Sequence, residues 1–485
     1  MNRLIVISNR APSSDQKANA GGLVFALSDT LRETGGIWIG TSGETSDEGS
    51  TELKPREGLP YRVLTFDLSR KEHEGYYLGY SNSVLWPTFH GRVDLIDVKP
   101  GYCDAYEAVN RRLADMLKSV LKPDDVIWVH DYHLIPLAHF LRAAGFENRI
   151  GFFLHIPVPT GPNFQAIPEN RQIAEWFGAY DLVGLQSQRD VASFVDMLDA
   201  SGHRYVFNRG KVTAFGRTFR VAKFPIGIDP HSFAETAATS EAEFRQPPEK
   251  IQIIGVDRLD YSKGLPQRFR AFQTYLRTFR DMHERISLLQ IAPPTREDVE
   301  AYREIRQETE ALAGEINGEF SDLHWTPIRY IHRAVARDQL AGLYRQSKVG
   351  LVTPLVDGMN LVAKEYVAAQ DPDNPGVLVL SRFAGAAEQM HSALLVNPHD
   401  PYDVAEKIDM AVHMPLDERR HRYRVLYDSL TNTDLSWWSD TFLSALTQND
   451  GMAMHTDRIP NTAPEPLNES GSGSAGTLGH TATAA

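Results

Sequence analysis

The chain has 485 residues with ordinary shares of hydrophobic (42%) and charged (23%) side chains, and its net charge of −13 argues against nucleic-acid binding, which needs a basic surface. A single cysteine, Cys103, excludes a disulfide bond within the chain and suits a reducing compartment. The start of the chain lacks a signal-peptide pattern and no apolar run approaches the ~20 residues that span a bilayer, so we expect a cytoplasmic protein without membrane contact.

Short apolar runs alternate with helical patterns along most of the chain. The first group of runs contains RLIVIS, DDVIWVH, RIGFFLH, DLVGLQ and FRVAKFP, and the second contains IQIIGV, ISLLQIA, KVGLVTP and GVLVLS. Runs of this kind, with helices between them, predict parallel strands that are covered on both faces. We therefore expect an α/β fold with two domains.

The composition also indicates where these domains begin and end. We expect one α/β domain at residues 1–228 and a second at 251–448, joined by an interdomain connection at 229–250 that is polar and carries a proline pair. Residues 449–485 are rich in Gly, Ser, Ala and Thr and have almost no large apolar side chains. A segment of this composition cannot bury enough apolar surface to fold, so we expect it to be disordered.

The first predicted strand, LIVIS, ends in Asn9 and Arg10, and a glycine pair, Gly21-Gly22, then opens a helix. Ligands of parallel α/β sheets bind beyond the carboxyl ends of the strands, and glycines at a helix N-terminus let backbone amides approach a phosphate. The pair lacks the G-x-G-x-x-G spacing, so it is a weak dinucleotide signal. An ordinary surface residue is an equally good interpretation of Arg10.

Further polar and aromatic residues follow in the first predicted domain. The segment YYLGYSNSVLWPTFH (76–90) supplies Tyr77 and Trp86, whose rings suit sugar stacking, although core packing is the commoner role of a single aromatic residue. The apolar strands IWVH and FFLH run into Asp131 and His155. Because these strands are predicted to be neighbours, we expect the two side chains at adjacent strand ends.

Two cations follow the strand IIGV in the stretch VDRLDYSKGL. Arg258 and Lys263 at one strand-to-helix corner form a compact anion site, in which the arginine binds two oxygens and the lysine acts as a point charge. The alternative is a solvated loop in which they pair with Asp257 and Asp260.

A third strand end, in QIAPPTREDVEAYREI, repeats the pattern. Thr295 and Asp298 have the spacing of a capping box, which puts Arg296 in the first turn of the next helix. The helix dipole disfavours a cation there, so the arginine suggests a functional role. A simple surface arginine is the alternative interpretation.

The stretch PLVDGMNLVAKEYVAAQ (354–370) joins a buried strand to a helix. Its corner can be explained by local chemistry, because Asn360 can cap the helix, Gly358 can turn the chain and Asp357 suits the helix dipole. The same residues, together with Glu365 inside the helix, can instead hold a ligand.

Metal binding is the weaker interpretation of the remaining acids and histidines. His130, His133 and His155 could be ligands, but we expect His130 and His133 to be core-edge residues with satisfied hydrogen bonds. Asp371 and Asp373 form a D-x-D pattern, but they lie in a proline-rich stretch that predicts a plain turn. We therefore expect no metal site and no cofactor.

Taken together, these motifs resemble the trehalose-6-phosphate synthases, a family of retaining glycosyltransferases. The resemblance runs from SNR (8–10) to about residue 448, and its most specific segments are AGGL, SNSVLWPTFH, VHDYHL, GFFLHIPVPT, RLDYSKGL, QIAPPTRED and TPLVDGMNLVAKEYVAAQDP. It implies a GT-B fold, in which two Rossmann-like domains face each other across a cleft. It also implies glucose transfer from a nucleotide-glucose, usually UDP-glucose, to glucose 6-phosphate, and a homodimer or homotetramer.

The resemblance further implies roles for individual residues. Those implied to bind the donor are Gly21, Gly22, Arg258, Lys263, Val335, Asp357, Gly358, Met359, Asn360, Leu361, Val362 and Glu365. Those implied to bind the acceptor are Arg10, Tyr77, Trp86, Asp131 and Arg296. Residues implied to take part in catalysis are Asp131, His155, Arg258, Lys263 and Asp357. Retention would come from front-face attack, with the departing phosphate oxygen taking the acceptor's proton. The family often has an aromatic residue in place of Thr41, so one wall of the acceptor pocket is expected to differ.

Two alternatives stay open. One is a related GT-B enzyme with another phosphorylated acceptor, such as a sucrose-phosphate-type or glucosylglycerol-phosphate-type synthase. The other is a non-catalytic sugar-phosphate sensor, against which the intact Arg258, Lys263, Asp357 and Glu365 argue. The nucleotide of the donor, whether UDP, GDP or ADP, is not determined by the motifs.

Overall fold

Two β-sheets organise the protein, whose computed structural model describes residues 2–12, 27, 30–32, 34–240, 250–296 and 299–448. The strands are β1 (Leu4–Arg10), β2 (Ile37–Ser46), β3 (Lys54–Arg56), β4 (Arg62–Ser69), β5 (Val126–His130), β6 (Arg149–Phe153), β7 (Leu182–Leu185), β8 (Val206–Asn208), β9 (Lys211–Ala214), β10 (Arg217–Lys223), β11 (Ile251–Val256), β12 (Ile286–Ile291), β13 (Ile328–Ile331), β14 (Val349–Val352), β15 (Val377–Ser381) and β16 (Leu394–Val396).

The helices of seven or more residues in this part of the chain are α1 (Tyr102–Leu117), α2 (Leu137–Ala143), α3 (Asn170–Phe177), α4 (Gln188–Ala200), α5 (Pro230–Thr239), α6 (Leu265–Thr278), α7 (Glu300–Phe320), α8 (Arg337–Gln346), α9 (Leu361–Ala369), α10 (Pro401–His413), α11 (Leu416–Asn432) and α12 (Leu435–Thr447). Shorter helical segments are Arg70–Glu72, Trp86–Phe89, Gly161–Phe164, Val93–Leu95, Tyr132–Leu134, Tyr261–Lys263, Arg280–Met282 and Gly385–Glu388, and His73–Leu85 is a π-helix. None of the helices described is long and apolar enough to cross a bilayer.

The first sheet has the strand order β3-β4-β2-β1-β5-β6-β7-β10-β9-β8, and the second has the order β13-β12-β11-β14-β15-β16. Neighbours in the second sheet are parallel throughout, and antiparallel pairs in the first sheet are confined to its two edges. The central strands are buried along almost their whole length. The prediction of an α/β fold with parallel strands covered on both faces is confirmed.

The last helix, α12, returns to the first sheet. Its Phe442 ring stacks on Trp128 of β5, with ring centroids 4.3 Å apart. Two glycines of the neighbouring strands make room for that ring, because a Cβ at Gly151 or Gly184 would lie 2.8 or 2.7 Å from it. The stretch expected as the second domain, 251–448, thus ends in a helix that covers the first sheet, and the four-part division of the chain stays a prediction.

The expected interdomain connection begins with a helix. The side chain of Asp229 accepts a hydrogen bond from Ser232 N at 2.9 Å and so caps α5, as local chemistry favours. Phe233 of this helix packs on Tyr344 of α8, with ring centroids 6.3 Å apart. The helix therefore belongs to the packed structure of the second sheet's helices. Residues 241–249 and 449–485, the second of which we expected to be disordered, lie outside the described residues.

Candidate functional site

The corner between β14 and α9 combines helix capping with a charged cluster. Asn360 has a φ of 78° and accepts a hydrogen bond from Ala363 N at 3.2 Å, so it caps α9 as the sequence predicted. Its amide also donates to Asp357 Oδ2 at 3.0 Å. Lys263 Nζ, from the corner after β11, donates to the same oxygen at 2.5 Å. Local chemistry therefore accounts for the cap, and a lysine from another corner adds a charge that local chemistry does not require.

This corner also touches the first sheet. A Cβ added at Gly358 would overlap the carbonyl oxygen of His155, which follows β6. The glycine is therefore needed for a close approach of two backbones, and not only for a turn. It brings the loop that starts at Asp357 against the strand end that carries His155.

Replacing Gly358 with alanine should destabilise the protein by about 1–3 kcal/mol, because an overpacked backbone contact can only be relieved by moving one strand end. Thermal unfolding measures the effect. The matched control is Gly314→Ala in α7, where a Cβ meets open space and the substitution should stabilise the helix by up to about 1 kcal/mol. Equal melting temperatures for the two variants would contradict the close approach.

A second contact joins the two sheets near this loop. The carboxylate of Glu388 accepts hydrogen bonds from Gln188 N at 2.8 Å and Arg189 N at 3.0 Å, at the first turn of α4. Arg189 Nη2 donates in turn to Phe383 O at 3.0 Å, which also accepts from Asp357 N at 3.3 Å. The loop that carries Asp357 is therefore held by contacts from both sheets.

The two cations after β11 differ in their surroundings. Lys263 pairs with Asp357 and not with the acids of its own loop, and Asp257 instead forms a buried ion pair with Arg268 at 2.7 Å. The solvated-loop interpretation is therefore wrong for Lys263. Arg258 is exposed, and its guanidinium carbon lies 5.8 Å from the centroid of the Trp86 ring.

Arg296 is a buried cation held by aromatic and phenolic groups. Its guanidinium carbon lies 3.8 Å from the centroid of the Trp86 ring. Its Nη1 donates to the Tyr302 hydroxyl at 2.5 Å, and its Nη2 donates to the Tyr132 hydroxyl at 3.1 Å. The Tyr302 hydroxyl donates onward to Asp260 Oδ2 at 2.9 Å, and Arg296 Nη1 lies 3.5 Å from that oxygen.

The place of Arg296 relative to the next helix differs from the prediction. Helix α7 begins at Glu300, so Arg296 lies before the helix and not in its first turn. Its φ is 50°, a left-handed conformation that is uncommon for a residue other than glycine and concentrates at functional sites. Asp298, the second member of the expected capping box, lies outside the described residues.

Asp260 is the acid that balances these cations. Burial alone would raise the pKa of its carboxyl, but the charges of Arg296, His90, Arg258 and Lys263 lower that pKa to about 2. From the sequence, Asp260 was considered only as a possible partner of Arg258 and Lys263 in its own loop. Tyr302, its hydrogen-bond partner, was missed, and the one available signal was its place six residues after Arg296.

Asp131 and His155 stand at adjacent strand ends, as the sequence predicted. Asp131 Oδ1 accepts a hydrogen bond from His155 N at 3.3 Å. Burial raises the pKa of Asp131 to about 6, against the hydrogen bonds from the His155 and Tyr132 backbones and the charge of Arg296. Burial lowers the pKa of His155 to about 4, so its ring is neutral at pH 7.

The other two histidines depart in part from the prediction. His130 Nδ1 lies 3.1 Å from His155 Nε2, but His130 Nε2 and both ring nitrogens of His133 have no hydrogen-bond partner among the described residues. The expectation of satisfied hydrogen bonds is therefore wrong for His133 and is met by one ring nitrogen of His130. The His133 ring stacks instead, 5.8 Å from the Tyr77 ring with an interplanar angle of 11°. Within the described ranges, no three His, Cys, Asp or Glu side chains are grouped to hold a metal ion.

The remaining predicted residues are accounted for as follows. Asp371 Oδ1 accepts from Asp373 N at 3.1 Å within a turn, as the proline-rich stretch predicted. Of the residues implied to bind the donor, Met359 is buried, Val335, Leu361, Val362 and Glu365 are partly exposed, and Gly21 and Gly22 lie outside the described residues.

Arg10 ends β1 and is exposed, next to the strand that carries Thr41. A Cβ at Gly43 would lie 2.8 Å from Arg10 Nη2, so the arginine side chain lies over that glycine. The Thr41 hydroxyl donates to Asn9 O at 2.7 Å and therefore faces the backbone of β1. The hydroxyl of Thr41 is therefore satisfied locally.

Comparisons with known proteins agree with one another. The model of glycosyltransferase family 20 matches residues 2–448. The trehalose-6-phosphate synthase of Cronobacter sakazakii is 46% identical over 455 residues, which cover 92% of this chain and 96% of the relative. The crystal structure of an α,α-trehalose-phosphate synthase (UDP-forming) from Burkholderia xenovorans in complex with glucose 6-phosphate matches with a TM-score of 0.86 and 46% identity, over 92% of this chain and 100% of that one. A trehalose-6-phosphate structure from Escherichia coli bound with UDP-2-fluoro glucose matches with a TM-score of 0.87 and 44% identity, over 92% and 99%.

Proposed function

The chain belongs to glycosyltransferase family 20, and from that membership we infer that it transfers glucose from UDP-glucose to glucose 6-phosphate. The products are α,α-trehalose 6-phosphate and UDP, and the anomeric configuration is retained. Its two sheets, which are parallel except at the edges of the first, are those of a GT-B fold. The structural observation that carries the inference is the presence of two cationic sites. Lys263 forms an ion pair with Asp357, and Arg296 lies over the ring of Trp86.

The donor site is proposed around the corner at Asp357. Arg258 and Lys263 would neutralise the diphosphate, and Gly21 and Gly22 would approach it with their backbones. The donor glucose would be held by Asp357 and by the backbone from Gly358 to Asn360, with Leu361 and Val362 at the phosphates and Val335 at the base. Glu365 would accept both ribose hydroxyls. The support is the 2.5 Å contact of Lys263 with Asp357. It puts an ammonium group, which can bind a diphosphate, beside the acid that is proposed to bind the sugar.

The acceptor site is proposed around Arg296, whose guanidinium would bind the phosphate of glucose 6-phosphate. Arg10, Tyr77, Trp86 and Asp131 would complete this site. The support is that the Arg296 side chain is a buried cation packed on an aromatic face. The negative charge of a bound phosphate would stabilise such a cation.

The reaction breaks the bond between the sugar's anomeric carbon and the diphosphate oxygen. Positive charge grows on the sugar and negative charge grows on the diphosphate, where Arg258 and Lys263 would stabilise it. The acceptor hydroxyl would attack from the same face, and its proton would pass to the departing phosphate oxygen. In this scheme Asp357 and Glu365 bind sugars and form no covalent intermediate.

Product identity tests the function. The protein should be incubated with UDP-, GDP- or ADP-glucose and glucose 6-phosphate, and the sugar product identified by NMR. We expect α,α-trehalose 6-phosphate, formed fastest from UDP-glucose, and nucleotide release only when glucose 6-phosphate is present. Tight donor binding without turnover of any hexose phosphate would favour the sensor, and another disaccharide phosphate would favour a related synthase.

The pH dependence tests the role of Glu365. Burial raises the pKa of its carboxyl to about 7 against the charge of Arg337, so the group is protonated below that pH and loses acceptor capacity for the ribose. The kcat/KM for UDP-glucose should therefore fall by up to about tenfold as the pH is lowered by one unit below about 7.

Glu365→Gln is the matched variant, because it stays neutral at every pH. Its kcat/KM should be low and should lack the inflection near 7, while an inflection near 6 from Asp131 remains. A wild-type inflection near 7 that persists unchanged in this variant would contradict the assignment.

We also propose that the protein is a cytoplasmic homodimer or homotetramer. Its single cysteine and the phosphorylated substrates support the compartment. Light scattering on the purified protein should give two or four times the mass of the 54.4 kDa chain, and a monomer at micromolar concentration would contradict the oligomer.

A further inference from the structure

Two histidine rings from adjacent strands share one hydrogen bond behind the proposed donor site. His130 ends β5 and His155 follows β6, and His130 Nδ1 lies 3.1 Å from His155 Nε2. Burial lowers the pKa of both rings, that of His155 to about 4, so each ring carries one proton at pH 7. One ring must then donate and the other must accept.

The surroundings of His130 decide which ring donates. His130 is 1% exposed, and the rings packed against it besides that of His155 are those of Trp128, Trp438 and Phe153, with centroids 4.8, 6.3 and 6.3 Å away. Its Nε2 has no hydrogen-bond partner among the described residues. The polar groups of those rings are indole N–H groups, which donate but cannot accept. A proton on His130 Nε2 would therefore be buried among donors without an acceptor.

The opposite arrangement has no such defect. With its proton on Nδ1, His130 donates to His155 Nε2, and its buried Nε2 carries only a lone pair. In proteins an orphaned buried N–H group is rarer than an under-satisfied buried acceptor, which favours this arrangement. The proton of His155 then has to be on Nδ1.

His155 Nδ1 is the nitrogen of this ring that takes no part in the contact with His130. The His155 ring is partly exposed, and its Nδ1 has no hydrogen-bond partner among residues of the described ranges. The backbone of His155 meets Gly358 of the donor corner, and its N–H donates to Asp131. The free nitrogen thus belongs to a residue in contact with both proposed substrate sites.

We propose that His130 is a positioning residue that fixes His155 as the Nδ1–H tautomer, so that His155 presents a hydrogen-bond donor to a hydroxyl oxygen of the donor sugar. This inference rests on the proposed function for the identity of the sugar. A ring with one fixed proton orients that hydroxyl as an acceptor throughout the reaction. A ring free to exchange tautomers would make the contact only part of the time.

Three variants separate this role from simple packing. His130→Phe keeps a buried ring but removes the donor, and it should lower kcat/KM for UDP-glucose about five- to tenfold, the value of one hydrogen bond. His130→Asn carries an amide that can replace Nδ1–H and should recover most of that loss. His139→Phe, the same substitution at an exposed position of α2, should behave as the wild type. In all three the KM for glucose 6-phosphate should change less than twofold.

Nuclear magnetic resonance reads the tautomer directly. Protein labelled with ¹⁵N-histidine should show a protonated Nδ1 and an unprotonated Nε2 for His155, whose signals are identified by their loss in His155→Gln. In His130→Phe the same signals should move toward a mixture of tautomers.

Two results would overturn the proposal. They are an Nε2–H tautomer of His155 in the wild type, and wild-type kinetics in His130→Phe. The spectrum needs no substrate, so it can refute the tautomer in a protein that makes trehalose 6-phosphate. It can equally support the tautomer in a protein that proves to use another donor. The tautomer proposal and the proposed function are therefore tested independently.

Discussion

Replacing Lys263 with alanine should lower kcat by about a hundred- to a thousandfold, with a smaller change in the KM for UDP-glucose. Preorganised groups that face charge developing in the transition state have effects of about this size when removed singly. Lys263 is such a group in the proposed mechanism, because its ammonium is held on Asp357 at 2.5 Å. Steady-state kinetics at saturating glucose 6-phosphate measure the effect.

The control for this variant is another lysine in an ion pair. Lys118→Ala removes an exposed contact with Asp115 at 2.7 Å, and exposed pairs contribute little, so kcat and the melting temperature should stay nearly unchanged. If Lys263→Ala raised only the KM for UDP-glucose and left kcat intact, Lys263 would bind the ground state and the transition state equally. The proposed stabilisation of the leaving group would then be wrong.

Replacing Arg296 with alanine should raise the KM for glucose 6-phosphate about ten- to a hundredfold, because a charge-assisted hydrogen bond contributes roughly 1.5–3 kcal/mol. The acceptor's phosphate carries the same charge before and during the reaction, so its binding is uniform and kcat should change little. The variant should also discriminate less between glucose 6-phosphate and glucose, since glucose never made the lost contact.

Arg296→Lys separates the charge from the geometry. It keeps a cation near Asp260 but cannot bond the hydroxyls of Tyr302 and Tyr132 together, so its KM should lie between those of the wild type and the alanine variant. Arg277→Ala, which removes an exposed pair with Glu319 at 2.7 Å, is the control and should leave the KM unchanged. If Arg296→Ala instead weakened the binding of UDP-glucose and left the KM for glucose 6-phosphate unchanged, the assignment of the two anion sites would be wrong.

The strands and corners were predictable because their signals are local. Apolar runs define β11 and β14, and the capping by Asn360 depends on residues within one turn. For the same reason Lys263 and Asp357 could each be singled out in its own motif. Their contact could not, because it depends on the packing of two corners that lie far apart in the chain.

The setting of Arg296 shows the same limit. Its place at a strand end was visible, but helix α7 begins later than the capping pattern suggested, and the backbone adopts a left-handed conformation instead. Tertiary contacts with Trp86 and Tyr132 hold the side chain there, and they overrule the local preference. The partnership of Tyr302 with Asp260 likewise follows from a helix packing beside a loop, which no short pattern records.

The return of α12 to the first sheet sets an order on biosynthesis. Strands β5 to β7 leave the ribosome long before Phe442, so for much of translation the face of the sheet at Gly151 and Gly184 has no cover and Trp128 lacks its stacking partner. The first sheet can complete its core only when almost the whole described chain has been made. A chain whose translation stops early therefore lacks a complete N-terminal core. It exposes an apolar surface that chaperones and proteases recognise.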